Sequence, residues 1–402
     1  MVPEGWSIQP FSDVTRIANG QVDPTTEPYA SMPHIAPDNI ESGSGRLSNV
    51  RTASEAGVIS GKYPFEAGAI IYSKIRPNLN KVARTPFSGV CSADMYPVYA
   101  KESVLDQEYL FQFMQSGRFL AAATAFSMRT GLPKINRADL GTISVPVPPL
   151  REQKKVADVL SKWDKAIETT EKLHANAEKQ KRALMQQLLT GKRRLKSFEG
   201  RDWKHVSLDT VFERVRRKNA DGIRNVLTIS GKEGLVSQRE YFNKLVAAAD
   251  TSGYTLLRGG EFAYNKSYSA GYPLGAIKML PVGQTGVLSS LYICFRIRSE
   301  HNDCADFFRH WFEFGGLNRE LSVVAQEGAR NHGLLNVGIS DFFGLLIYRP
   351  EAREQNAIAE LLNDAEQQVR NFELQLARLV LEKRALMQVL LTGKRRVKYE
   401  RT

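Results

Sequence analysis

Apolar positions recur at alternating steps of four and three along two stretches of the chain. The first seam runs Val156, Leu160, Trp163, Ile167, Ala177, Leu184, Leu188, with Thr170, His174 and Lys181 at intervening positions. The second runs Ile358, Leu362, Ala365, Val369, Phe372, Leu376, Leu379, Leu386, Leu390, with Lys383 in register. This heptad pattern, sustained over about four repeats, predicts a helix lying along another helix. Pro146, Pro148 and Pro149 precede the first seam, and Thr-Gly pairs (Thr190–Gly191, Thr392–Gly393) end both. Roughly 40 residues at ~1.5 Å rise make each helix a rod of roughly 60 Å. Neither seam has another long helix to pair with except its twin. One globular segment separates the two, so an antiparallel coiled-coil pair is the simplest closure, with Leu160, Trp163, Ile167, Leu184, Leu188, Leu362, Val369, Phe372, Leu376, Leu379, Leu386 and Leu390 in its seam.

The two stretches are also copies. KRALMQQLLTGKRR at 181–194 returns at 383–396 with one change, Gln187 against Val389. The same offset of 202 places Arg151, Glu152 and Gln153 on Arg353, Glu354 and Gln355, and Asp139 on Asp341. It also places Gly131 and Leu132 on Gly333 and Leu334. A match of that length marks a duplicated unit. The segments between the helices keep only a common skeleton. Trp6 matches Trp203, each ahead of a short apolar run (11–14 and 208–212). Strand-like residues 68–74 match 260–266, and 89–92 match 286–289. A further strand is expected at 96–99, and one amphipathic helix over 109–124. The expected fold is mixed α+β with an internal pseudo-twofold repeat: domains at 1–147 and 196–348, helical struts at 148–195 and 349–402. Two domains of one plan but different surface, on near-identical struts, suit a bivalent reader of two different sites.

Charge modifies this picture slightly. The net charge is +12, yet residues 1–150 are balanced, while 151–200 hold 13 basic against 7 acidic side chains. A polyanionic partner fits, and so does a solvated basic face. The three cysteines, Cys91, Cys294 and Cys304, match no metal-ligand spacing, so reduced thiols and no metal are expected. No apolar run is long enough to span a bilayer and no signal-like start is present, so the cytoplasm is the expected compartment.

Enzymatic motifs fail on inspection. Gly191–Lys192 resembles the end of a phosphate-binding loop, but Gln186 stands where a glycine is needed. Asp139, Glu152 and Lys154 mimic a nuclease spacing that the second copy breaks with Asn356. There is no HExxH among the six histidines and no glycine-rich cofactor loop.

The approach PPLREQ (148–153), its counterpart YRPEAREQ (348–355) and the two helices ending LLTGKRR together resemble the DNA-specificity (S, or HsdS) subunit of type I restriction–modification systems. GAIIYSKIRP (68–77) and GEFAYNKS (260–267) are similar to segments of that family's target-recognition domains. The resemblance implies a non-catalytic chain whose two domains each read half of a bipartite double-stranded DNA target, with the helical pair setting the unread spacer. It implies two methyltransferase (M) subunits that use S-adenosylmethionine, and restriction/translocase (R) subunits that use ATP and magnesium. No cofactor is implied for this chain. Pro350, Glu351 and Ala352 depart from Pro148, Pro149 and Leu150, which bears on local turn geometry.

Candidate DNA contacts follow. Lys74, Arg76, Asn78, Lys81 and Arg84 cluster after a strand, and Arg129 and Lys134 flank Gly131. The positional equivalents are Lys266, Ser267 and Tyr268, then Arg330, Asn331 and His332. Arg, Lys and Asn suit phosphates and base edges, although an ordinary solvated loop has the same composition. Lys181 and Lys383, at seam positions, are expected to carry their long stems out to solvent rather than act as a polar register device. The GKRR ends fit phosphates, an acidic patch on a methyltransferase, or a favourable charge at a helix C-terminus. Two rival functions remain: a recognition subunit of another bipartite restriction class, and a coiled-coil scaffold for two protein partners.

Overall fold

Two helices of 39 residues, Leu150–Leu188 and Ala352–Leu390, occupy the heptad stretches. In the computed structural model, which describes residues 3–127, 133–231, 233–242, 250–269, 271–327 and 335–398, the chain forms two compact units. The first comprises residues 1–172 and 373–402, the second residues 173–372, so each unit takes part of both long helices.

In the first unit β1 (Ser7–Pro10), β2 (Thr15–Ile17), β3 (Ile70–Ser73), β4 (Val82–Arg84), β5 (Met95–Ala100) and β6 (Ser144–Val147) set the frame. β2, β5, β3 and β4 form an antiparallel sheet in that order, and β1 pairs with β6, Ser7 opposite Val147. One helix was expected over 109–124; the structure has two, α1 (Gln107–Gln115) and α2 (Gly117–Ser127). Ser116 between them is extended, and its hydroxyl donates to the Phe113 carbonyl (2.6 Å) and accepts from the Phe119 N–H (3.3 Å). A hydroxyl that serves the backbone this way competes with helix continuation. The break sets Phe113 edge-on to Phe119, centroids 5.8 Å apart. Both rings join a core that also contains Tyr72, Val156, Leu160, Met387 and Leu390.

The second unit repeats the frame with β7 (Lys204–Ser207), β8 (Phe212–Arg214), β9 (Phe262–Asn265), β10 (Ala276–Met279), β11 (Tyr292–Ile297) and β12 (Leu346–Arg349). Its sheet runs β8, β11, β9, β10, again antiparallel, and β7 pairs with β12, Lys204 opposite Arg349. α3 (Ala305–Glu313) stands where α1 stands. Phe212, Phe295, Phe307 and Phe312 enrich this core, which takes in Leu188, Ile358 and Leu362. Beyond the shared sheet the units diverge. The first adds a four-stranded sheet in which Pro33–Ile35 runs parallel to Gly89–Cys91. The second adds a hairpin, Leu227–Ser230 with Gly234–Ser237, and a separate antiparallel pair, Thr255–Arg258 with Thr285–Leu288.

Along the long helices Leu160, Leu188, Leu362 and Leu390 are buried, while Trp163, Ile167, Leu184, Val369, Phe372, Leu376, Leu379 and Leu386 are half-buried. The expectation for the seam lysines is overturned. Lys383 is 8% exposed and donates to Asp164 and to Gln115. Lys181 donates to Glu366 at 2.6 Å. An acid stands opposite each lysine on the facing helix, and Asp164 and Glu366 are themselves 202 apart. A charged head that finds a carboxylate at the helix interface has no reason to extend into water. No described helix is long and apolar enough to cross a membrane.

Candidate nucleic-acid interface and the joint behind it

The REQ triplet and the terminal arginine of KRR build one joint in each unit. Glu152, in the first turn of its helix, is fully buried. Its carboxylate accepts from Arg396 Nε (3.0 Å), Arg396 Nη2 (2.7 Å) and Trp6 Nε1 (3.1 Å). Glu354, 1% exposed, accepts from Arg194 Nε and Nη2, both at 2.7 Å, and Trp203 Nε1 at 3.0 Å. Two parallel N–H groups of a guanidinium meet two carboxylate oxygens, a charge-assisted bidentate contact. The arginine returns to the carboxylate because Gly191 and Gly393 end the helices with φ of +69° and +73°. There the Arg193 N–H reaches Gln187 O and the Arg395 N–H reaches Val389 O, each at 3.1 Å, closing the last turn.

Gln153 and Gln355 tie the joint to the domain. Gln153 donates to Pro148 O (2.8 Å) and accepts from the Asp106 N–H (2.7 Å) at the start of α1. Gln355 donates to Pro350 O (2.9 Å) and accepts from the Cys304 N–H (2.7 Å) at the start of α3. Sequence reasoning missed this joint and left the KRR arginines to phosphates, a partner's acidic patch or the helix C-terminus. The signal was present: the Trp, Glu, Gln and Arg are all duplicated. Lys192, Arg193, Lys394 and Arg395 do stay exposed. In each unit numbers rise on one helix as they fall on the other: Glu152 with Arg396 and Asp164 with Lys383, then Glu354 with Arg194 and Glu366 with Lys181. The helices therefore pack antiparallel within each unit.

At the end of β3 the backbone brings two candidate segments together. Lys74 O accepts from the Ile135 N–H (2.9 Å), Ile75 bridges Lys134, and the Arg76 N–H reaches Pro133 O (2.7 Å). Arg76 sits at φ +48°, a conformation side-chain residues rarely adopt. Lys74 lies over the Tyr96 ring (5.5 Å), and Arg137, which the sequence reading did not single out, lies over the same ring (5.0 Å). Arg137 also donates to Ala18 O at 2.7 Å. None of Lys74, Arg76, Lys134 and Arg137 forms an ion pair with a described residue. The other candidates are differently engaged. Asn78 is exposed, Lys81 donates to Pro37 O (2.7 Å), and Arg84 pairs with Glu108. Arg129 lies outside the described residues.

In the second unit the equivalent of Lys74 O is Lys266 O, which accepts from the Leu335 N–H (2.9 Å). Ser267 donates its N–H to Asn265 Oδ1 (3.1 Å), and Tyr268 is 63% exposed. Arg330, Asn331 and His332 lie outside the described residues. Both units thus join the segment after the sheet's inner strand to the segment after the second candidate loop.

The chemistry present is that of contact. Glu152 is engaged by Arg396 and Trp6, which takes it out of any acid–base or metal role. Burial pushes the Cys91 thiol up and the Cys294 thiol up to about 12, far from a reactive thiolate. Among the described residues no cluster of His, Cys, Asp and Glu could hold a metal ion.

Known proteins are similar to this chain in sequence and fold. Residues 3–179 match the family model described as type I restriction modification DNA specificity domain. The type I restriction enzyme EcoDI specificity subunit of Escherichia coli is 38% identical over 213 residues, covering 52% of this chain and 46% of that subunit. The match to that relative therefore spans about half of its length. The MjaVIII specificity subunit of Methanocaldococcus jannaschii is 25% identical over 99% of this chain and 94% of its own. The HsdS subunit of Thermoanaerobacter tengcongensis, a crystal structure, has the same fold, with a TM-score of 0.52 at 19% identity over 98% of each chain. A duplicated joint, a repeated sheet order and these likenesses point the same way: the chain is similar to the specificity subunits of type I restriction–modification systems.

Proposed function

We propose that each unit reads one half of a bipartite double-stranded DNA sequence and that the long helices, as an antiparallel coiled coil, hold the two half-sites at one separation. The observation that carries this reading is the paired placement of candidate loops. Lys74 O with Ile135 N–H, and Lys266 O with Leu335 N–H, put two loops together at the same point of two equivalent sheets, with different side chains on each. Equivalent position with different chemistry is what two different half-sites require. Lys74, Arg76, Lys134 and Lys266 supply charge for phosphates; Asn78, Ser267 and Tyr268 add hydrogen-bonding groups suited to base edges.

A stiff link raises the effective concentration of the second domain only for half-sites at the matching distance, so spacer length becomes part of the specificity. Residues 1–147 and 196–348 act as the recognition domains, 148–195 and 349–402 as the struts. The chain is non-catalytic: adenine methylation with S-adenosylmethionine belongs to two M subunits docked on it, and ATP-dependent translocation to R subunits. It works in the cytoplasm, where those partners and the DNA are.

An adenine-methylation map of the host genome with and without this gene tests the reading. The expected result is one gapped motif that loses methylation on deletion. Unchanged methylation of every motif, with the methyltransferase expressed, would overturn it.

A further inference from the structure

Arg137 and Ile339 occupy the same place in the two units. They lie 202 residues apart, each just ahead of its closing strand, β6 or β12. The backbone beside them is equivalent too. Ile17 on β2 stands opposite Val98, and Arg214 on β8 stands opposite Phe295. Val98 and Phe295 in turn face Ile70 and Phe262, the first residues of β3 and β9.

In the first unit Arg137 fills this place. Its Nη2 donates to Ala18 O (2.7 Å) and its Nη1 to Ile17 O (3.3 Å). The guanidinium lies over the rings of Tyr63 (5.6 Å) and Tyr96 (5.0 Å), with Lys74 over the Tyr96 ring as well. Two carbonyls and two rings fix its plane, and the carbonyls use only part of its five-donor fork.

In the second unit Ile339 leaves the place open. A cavity of about 340 Å³ lies against β8, and Phe212, Ile339 and Phe343 form its apolar wall. The acids on its rim are engaged, Asp209 by Ser207 and Glu213 by Arg296 at 2.7 Å, while Arg298 donates to Asp209 O at 2.8 Å. Arg214 and Arg216, also on the rim, are exposed and form no ion pair with a described residue. Ile339 itself is 40% exposed. The residue beneath the guanidinium changes along with it: Tyr96 stands opposite Tyr72, but Ile293 stands opposite Tyr264.

We propose that position 137/339 determines specificity in each half, Arg137 by meeting a guanine edge and Ile339 by taking a thymine methyl into its cavity. This rests on the reading of each unit as the reader of one half-site, and it names one residue of each that decides the base. A guanidinium only donates, and guanine is the base that shows two neighbouring acceptors, N7 and O6, in the major groove. An apolar wall can neither donate nor accept. A polar base edge laid on it would lose its water without replacement. The thymine C5-methyl is the one apolar group among the base edges of that groove, so it alone gains from this wall. Arg214 and Arg216 on the rim suit the phosphates flanking such a base.

The test uses the full chain assembled with its methyltransferase subunit, and binding to duplexes randomised in one half at a time. The unaltered complex is expected to require guanine at one position of the first half and thymine at one of the second. Replacing that guanine by 7-deazaguanine should weaken binding about tenfold, and replacing that thymine by deoxyuridine about fourfold, the worth of one buried methyl. Arg137→Lys, which keeps the charge without the planar fork, should abolish the first effect alone. Ile339→Ser, at an exposed position, should abolish the second alone. If Arg137→Lys leaves the base preference intact, Arg137 is a brace or a phosphate contact and its assignment falls. If deoxyuridine binds as well as thymine throughout the second half, the assignment of Ile339 falls. Either failure, in a complex that still selects a gapped motif, leaves the wider reading standing. An unaltered complex without base preference in either half overturns both.

Discussion

Each unit binds its helices together with a lysine–carboxylate pair at equivalent positions and surrounds that pair with different neighbours. In the first, Lys383 meets Asp164, which also accepts from Gln112 at 2.8 Å. In the second, Lys181 meets Glu366, which is shared with Arg309 at 2.8 Å. Next to it, Arg309 and His310 both lie on Asn363 Oδ1, at 2.7 and 2.8 Å. The alignment that matches α1 to α3 puts His310 where Gln112 stands. The strut kept its lysine and changed Asp164 to Glu366 and Ser161 to Asn363, while the domain face against it changed from a neutral amide to a guanidinium and an imidazole.

That change places an imidazole beside the helices of the second unit where the first has an amide. Burial alone would raise the Glu366 carboxyl, but the hydrogen bond from Lys181 and the charge of Arg309 outweigh it and hold the group at about 2. Burial, and then the Arg309 charge, push the His310 imidazole below its ordinary value.

The strongest way to break this comparison is at the joint. Glu152→Ala and Glu354→Ala each remove the carboxylate that a guanidinium and an indole N–H share, and each is expected to cost about 3 kcal/mol. Urea unfolding, localised by hydrogen exchange, should find similar losses in the two units. Losses differing by more than about 1.5 kcal/mol, a large single-site effect, would mean that the joints are not equivalent.

The helix-ending glycines sharpen it. Gly191→Ala and Gly393→Ala both place a side chain in left-handed backbone, which costs roughly 1–2 kcal/mol. A Cβ at Gly393 would also lie 2.4 Å from Pro3 Cγ, whereas at Gly191 the nearest atom is Trp203 at 3.7 Å. Thermal unfolding should show Gly393→Ala as the more damaging change.

Acid should separate the units next. Glu366 has a depressed folded value, so its contribution is complete above the unfolded carboxylate value of about 4.3. It is lost as pH falls through that value toward about 2. Allowing for its partial exposure, the loss is about 1–2 kcal/mol. For His310 the folded state favours the neutral ring, so stability is complete above about 6.5 and declines as pH drops below it. Hydrogen exchange between pH 7 and 5.5 should show the helix segment beside His310 loosening before the equivalent segment beside Gln112, and His310→Gln should flatten that response.

The smallest effects belong to the candidate DNA surfaces. Arg76→Ala is expected to weaken binding to all sequences and reduce the salt slope by about 1 if it meets a phosphate. Tyr268→Ala is expected to relax one half of the target only, read by binding to a library randomised in each half. Relaxation of both halves by one substitution would contradict the division of labour.

Much of this was legible without coordinates. The heptad spacing located both helices, and the buried Leu160, Leu188, Leu362 and Leu390 lie on its seam. Strands at 68–74 and 96–99 were readable from their branched and aromatic residues, and the structure has Ile70–Ser73 and Met95–Ala100 there. The single helix over 109–124 failed because a hydroxyl at Ser116 captured the backbone, a choice settled by how Phe113 and Phe119 pack.

By itself the sequence determined that the chain is a duplicate, that its two halves share a frame, and where the long helices run. Periodicity and repetition are local or self-referring, so one chain displays them. Only the tertiary structure decided what the duplicated polar residues do. Glu152 and Arg396 are 244 residues apart, and Lys383 finds Asp164 only once the helices take an antiparallel register. An arginine in a basic run and a lysine on a helix look solvated until folding shows which carboxylate is buried beside them. Burial and long-range partnership are properties of the packed chain.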